Sequence, residues 1–267
     1  MAINAQEVLD KIKEIPAMPN VIVKALGIIK DDTSGTKELS EIMAYDQALT
    51  SQVLKLVNSA YYGFAQEITS VNKALALLGM TQTKNIIIAV AMKPMLTSQG
   101  GRDMWKHSLK CAVAAETLAQ RLGIIDPGDA FTVGFLHDIG KILLNIVDTM
   151  TYQKVRTAVK NGMDVIDAEN DEFETNHCDM GFLLAKKWKL SVLLANCIKY
   201  HHDPLSSSMP QVSTLAYLAN KISHEEPDVY DEEMVKEQLG IEVSEVMKIR
   251  EDIEEKANVL FSQLNAG

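Results

Sequence analysis

Cysteine is scarce and badly spaced for cross-linking: Cys111, Cys178 and Cys197 are odd in number and contain no CxxC pair. This excludes a disulfide framework and a thiolate zinc site of the usual spacing, and leaves reduced thiols packed in helices as the expectation. Long hydrophobic runs are missing too. No basic segment precedes an apolar one in MAINAQEVLDKIKEIP, and the longest strongly apolar run, Ile86 to Met92, is far shorter than a bilayer requires. A soluble, cytoplasmic chain is therefore expected. Period-two alternation of β-branched residues is hard to find, as are internal repeats and low-complexity segments.

Helix fills the space left by these absences. Apolar residues recur at three- and four-residue steps nearly throughout the 267 residues, and the expected fold is all-α. Asn20 and Asp46 stand where helix caps belong, and Asp126-Pro127 offers a cap followed by proline at the first helical position. Gly79 before Thr81 reads as one helix ending and another beginning. The polar stretch Thr97-Ser98-Gln99-Gly100-Gly101 suggests a hinge, and His224 to Asp228 a second break. The expected organisation is an N-terminal helical lobe (1–100), a second helical lobe (101–224) and acidic C-terminal helices (225–267), packed against one another.

Charge is uneven. Of the net −10, residues 225–267 carry 13 acids and 4 bases, leaving 23 acids and 22 bases for the rest. An acidic end of this kind disfavours nucleic acid as a partner and reads first as a solvated helical face, second as a protein-docking surface. Ala74 to Met92 has the outline of a helix-turn-helix, but with only Lys73, Lys84 and Lys93 nearby and an apolar second helix it reads as core. Tyr61, Tyr62 and Phe64 are expected to seal the joint between lobes.

All six histidines, His107, His137, His177, His201, His202 and His224, lie beyond the hinge, and Asp138 directly follows His137 in FLHDIGK. The first five fall on or beside separate helices, apart from the His201-His202 pair, so their side chains can converge. Imidazoles with a carboxylate suit iron, manganese, zinc or nickel, and such an ion can activate water toward a phosphoester. A lone helical histidine is better explained as a satisfied core or surface residue; five with a His-Asp pair indicate metal binding or descent from it.

The order from Trp105-Lys106-His107-Ser108 through FLHDIGK to His201-His202 resembles the HD superfamily of metal-dependent phosphohydrolases. The wider chain, from Ile15 to His224, resembles the HDOD family, the HD-related output domain of bacterial signalling proteins. IPAMP, YDQALTSQVLKLVNSAYYG and ITSVNKALALLGM carry that likeness in the first half, with Gln47 departing from the family's usual proline. The resemblance implies a two-lobed helical bundle with an HD-type core. It implies metal ligands at His107, His137, Asp138, His177 and His201 or His202, and a phosphate-facing role for Lys141.

Two breaks qualify this. The last aspartate of an active HD site matches Asn220 in STLAYLANKISH, a neutral amide and a weaker ligand. The GYP signature of cyclic dinucleotide phosphodiesterases is missing, since DPLSSSMP follows the histidine pair; Asp203, before a proline, reads as a loop residue. The implied protein is a bacterial signal-transduction module acting mainly through contacts with signalling proteins, without nucleic acid or membrane. It holds at most one divalent ion (Mn, Fe, Ni or Zn) at a degenerate site. The alternative is a metal-dependent phosphohydrolase of nucleotides or other phosphoesters; a scaffold for a homo-oligomer is a third reading. A hydrogen-bonded polar network is the competing explanation of the histidines.

Overall fold

Helix signals become caps in the computed structural model, which describes residues 18, 20–27, 39–41, 46–59, 62–99, 101–224 and 230–265. In chain order the helices are α1 (Asn20–Gly27), α2 (Gln47–Val57), α3 (Val71–Gln99), α4 (Gly101–Leu122), α5 (Pro127–Leu136), α6 (Ile139–Val147) and α7 (Thr149–Lys160). They continue as α8 (Val165–Phe173), α9 (His177–Lys187), α10 (Val192–Tyr200), α11 (Pro210–Ser223), α12 (Glu232–Leu239) and α13 (Val243–Asn265). A single 3-10 turn, Pro204–Ser206, follows α10, and the described residues contain no strand. The all-α expectation is met.

Asp46 starts α2 by accepting the Leu49 N–H at 2.9 Å, and Asp126 starts α5 by accepting the Gly128 and Asp129 N–H groups. Gly79 takes φ 76° and ψ 169° inside α3, a conformation open to glycine, and breaks the helix in two. Asn20 is the first helical residue of α1. Of IPAMP only Met18 lies among the described residues, and Ala60 and Tyr61 lie outside them. Tyr62 and Phe64 stack with centroids 6.4 Å apart. The helix-turn-helix outline is core, as expected: Ile86, Ile87, Ile88 and Met92 are buried.

Helix α4 is the hub, packing against α3, α5, α11 and α13. Its small residues Cys111, Ala112, Ala114 and Ala115 are fully buried and let neighbours approach closely. Gly134 completes the closest approach: a methyl there would overlap the Cys111 carbonyl oxygen and come within 2.9 Å of Ala112 Cα. The contact brings the end of α5, and with it the His-Asp pair, beside the first turns of α4.

The acidic C-terminus corrects the solvated-face expectation by half. Val246, Ile249, Ile253, Ala257 and Leu260 form a buried stripe on α13, at three- and four-residue steps, against α4. Lys110 to Glu254 at 3.3 Å and Arg121 to Asp252 at 3.6 Å rim that contact, and Phe261 packs on Trp105 at 5.2 Å. One hydrophobic core runs from Met18 to Leu260. Two helical stretches, Val71–Ser98 and Pro127–Val147, have the length and composition of a membrane span, which the run-length argument missed. In the fold 50% and 89%, respectively, of their most apolar 18-residue windows is buried against protein.

Candidate metal centre

Helix ends build the site. His137 and Asp138 form the junction of α5 and α6, His177 opens α9, and His201 and His202 follow α10; only His107 sits within a helix, α4. Asn176 caps α9 by accepting the Asp179 N–H at 3.1 Å, which fixes where His177 begins. Gly140 brings α6 onto that same turn, because its bare Cα faces the His177 carbonyl and the Gly181 nitrogen.

Asp138 is the hub of the cluster. Its Oδ2 faces His107 Nε2 at 3.5 Å, His137 Nε2 at 3.3 Å and Lys141 Nζ at 2.6 Å. Its Oδ1 faces His177 Nε2 at 3.3 Å and His201 Nε2 at 3.5 Å, and those two nitrogens are 3.2 Å apart. The carboxylate therefore divides two half-sites. His137, Asp138, His177 and His201 are all at most 1% exposed.

Three rings are oriented from behind. His137 Nδ1 pairs with the Gly134 carbonyl at 2.7 Å and His201 Nδ1 with the Ile198 carbonyl at 2.9 Å. His177 Nδ1 meets Glu169 Oε2 at 2.6 Å, while the His177 backbone N–H donates to the same oxygen at 2.8 Å. A carbonyl or carboxylate on Nδ1 assigns the proton to that nitrogen and leaves Nε2 as a lone pair. Three such lone pairs then converge on Asp138. His137 Nε2 and Asp138 Oδ1 are buried and make no hydrogen bond. The His177 and His201 Nε2 atoms, 3.2 Å apart, are close enough to share either a proton or a cation. The donor set thus fits a divalent metal ion: Asp138, His177 and His201 would hold it, with His107 and His137 on the opposite oxygen.

Burial holds His107 and His137 below the usual imidazole range, keeping them neutral donors. Burial opposes the ionisation of Asp138, but its contacts with His137, Lys141 and His201 outweigh it and hold the carboxyl well below the usual range. Burial also opposes charge on His177 and His201, yet Cys178 beside both, with Glu169 at His177 and Asp138 at His201, pushes them up to about 10 and about 9. In the same cluster the imidazoles draw the buried Cys178 thiol down to about 6. Without an ion, protons take up this negative charge on His177 and His201, so an ion and those protons compete for the same nitrogens.

All six candidate residues are brought together, with His202 in the outer ring, 4.5 Å from His201 and 5.1 Å from His177 between ring centroids. Lys141 pairs with Asp138 while also lining the adjoining cavity. Asn220 lies on α11, 4% exposed, with Oδ1 making no hydrogen bond. Asp203 is exposed on the loop, as expected. Sequence reasoning missed three participants. His224 packs on His107 at 4.8 Å. Glu169 looks like one acid among several in VIDAENDEF, and only its burial marks it. Cys178 adjoins His177 in sequence and lies 3.6 Å from its Nε2; like Cys111 and Cys197 it is a buried free thiol, as expected.

A cavity of about 560 Å³ opens from His107, Asp138 and Lys141. Lys106, Lys110 and Arg156 line it, opposed by Asp103 and Glu254, and Tyr152 and His224 complete the wall. Residues 15–204 match the HDOD domain over most of the chain.

The chain belongs to the HDOD family. Its relation to the HD phosphohydrolase superfamily follows from the same match and from the His-Asp centre. Solved structures with the same fold include an HDOD domain protein of unknown function from Geobacter sulfurreducens (TM-score 0.81, 22% identity, covering 98% of this chain and 97% of that one). A candidate phosphohydrolase from Shewanella amazonensis SB2B gives 0.75 at 26% identity, covering 97% and 98%. A candidate signal transduction protein from Marinobacter aquaeolei VT8 gives 0.81 at 19%, covering 96% of this chain and 60% of that protein. Among curated relatives, the chain spans 43% of an uncharacterised Treponema pallidum protein, at 23% identity over 227 residues.

Proposed function

We propose that this HDOD domain serves bacterial signal transduction chiefly through protein contacts, around an HD-type centre reduced to one divalent ion. The observation that carries the reading is the Lys141 ammonium 2.6 Å from Asp138 Oδ2. A two-ion hydrolytic site uses both carboxylate oxygens, and here a side-chain cation holds one of them. The buried Asn220 amide, at the position matched to the last acidic ligand, adds no negative charge to that half. The other half, with Asp138 Oδ1, His177 and His201, retains its geometry. The signalling role is supported by family membership and by the Marinobacter neighbour's description.

An ion bound there would supply Lewis acidity toward a water or a phosphoryl oxygen. The chain's own residues do the rest of the work: Glu169 orients His177, the Gly134 and Ile198 carbonyls orient His137 and His201, and Lys141 neutralises Asp138. The phosphohydrolase alternative rests on one observation, the basic lining of the 560 Å³ cavity by Lys106, Lys110, Lys141 and Arg156.

Metal analysis of the purified chain with a screen on generic phosphoesters and nucleotides decides between them. The proposed function expects no more than one ion per chain and no turnover with added manganese, iron, nickel or zinc. Two ions per chain with turnover abolished by Asp138→Ala would establish the hydrolase instead.

A further inference from the structure

The metal half-site beside Asp138 Oδ1 has a fourth donor outside the histidine set. Cys178 Sγ is 3.6 Å from His177 Nε2 and 3.9 Å from His201 Nδ1, and His177, Cys178, His201 and His202 each offer one ligand atom within 4.8 Å of the others. Cys178 is 7% exposed on the first turn of α9, directly after His177. We propose that Cys178 is a thiolate ligand that joins His177 and His201 in holding a borderline-soft divalent ion, zinc, cobalt or ferrous iron, beside Asp138.

The distances carry this. A tetrahedral ion with metal–nitrogen bonds of about 2.05 Å and a metal–sulfur bond of about 2.3 Å sets its nitrogens about 3.3 Å apart and nitrogen and sulfur about 3.6 Å apart. Two edges match, 3.2 Å between the His177 and His201 Nε2 atoms and 3.6 Å between His177 Nε2 and Cys178 Sγ, while Cys178 reaches the His201 ring on its Nδ1 side at 3.9 Å. Oxygen to nitrogen should be about 3.4 Å, and Asp138 Oδ1 stands 3.3 and 3.5 Å from the two imidazoles. That oxygen is buried, with these two imidazoles as its neighbours.

Charge points the same way. With Asp138 paired to Lys141, a thiolate adds negative charge that the imidazoles and the Asn220 amide do not. Thiolate ligation also changes the preferred ion, since soft donors favour zinc over manganese or magnesium. Cys111 is the competing thiol, 3.4 Å from His107 Nε2. It lies on the Oδ2 side, where Lys141 already pairs with the carboxylate.

This inference rests on the one-ion reading, and X-ray absorption at the zinc edge tests the two separately. Zinc-loaded wild type should show one sulfur at about 2.3 Å. The Cys111→Ser/Cys197→Ser double variant, whose only thiol is Cys178, should show the same shell. Cys178→Ser should lose it while still binding zinc, with affinity down about tenfold or more and manganese affinity changed much less. Zinc bound by nitrogen and oxygen alone in the wild type overturns the thiolate assignment and leaves the metal centre standing. Sulfur that survives in Cys178→Ser, or disappears in the double variant, assigns the ligand to another cysteine and also overturns it. Failure of the wild type to bind zinc or any other divalent ion overturns the metal reading itself.

Discussion

Gly140→Ala tests whether the centre depends on the approach of two helices. The added methyl would overlap the His177 carbonyl oxygen and sit 2.6 Å from the Gly181 nitrogen and 2.8 Å from the His177 carbonyl carbon. These are backbone atoms, which cannot rotate away. Restoring ordinary contact of 3.4 Å at the Gly181 nitrogen alone requires about 0.8 Å more separation between α6 and α9. A ligand set tolerates roughly 0.5 Å, so His177 would leave its place relative to Asp138. Overpacking of this kind costs about 3 kcal/mol, or about 5 °C in Tm for a chain of this length. Zinc affinity should fall about tenfold or more. Gly123→Ala is the control: with φ +65° and nothing within 4 Å, it should cost about 1–2 kcal/mol through left-handed strain and leave zinc affinity unchanged. Calorimetry and competition with a chromophoric chelator measure both quantities. A Gly140→Ala chain that binds zinc as the wild type does would refute the helix-approach argument.

Lys141→Met should destabilise the chain by about 3–5 kcal/mol in chelator-treated buffer, because it strands the buried Asp138 charge, and by clearly less with zinc; equal losses in chemical denaturation would show that the lysine does not balance Asp138. Glu169→Gln should weaken zinc binding by roughly 10–100-fold with circular dichroism unchanged, since the carboxylate behind His177 raises its donor strength. Asn220→Asp should raise manganese affinity or stoichiometry, read by equilibrium dialysis; no change would detach Asn220 from the ligand set. Glu116 is pushed above its ordinary 4.5 by burial, partly offset by the amide that Gln82 donates to it. A folded-state value above the unfolded one means that stability is lost as pH rises through 4.5. Glu116→Gln should therefore melt above the wild type at pH 7 and lose that advantage near pH 4; a pH-independent gap would contradict the assignment.

Much of this was legible from residue order. Asp46, Asp126 and Gly79 announce their roles through local rules, and local rules survive folding. The histidines were legible as a set because so many coordinating side chains on separate helices have few other uses. Glu169 was not, since its neighbours Asp167, Asp171 and Glu172 give VIDAENDEF the look of a solvated face, and only the packing of α8 turns one of four acids inward. Cys178 was overlooked because cysteine spacing is a test for sites made of several cysteines, and this one stands among imidazoles. The apolar stripe of α13 was obscured by the acids between its members, which dominate a charge count and say nothing about the opposite side of the helix.

The main core, from Met18 to Leu260, makes α13 a clasp. It touches α2 near the start of the chain and α4 beside His107, so its loss would open the hub and the early helices at once. Ligand linkage then acts at a distance: an ion held at His177 and His201 lowers the population of every open form that breaks this core. Amide protons of α2, on the far side of the chain from the site in sequence, should thus exchange more slowly when the ion is bound, although no residue of α2 touches it.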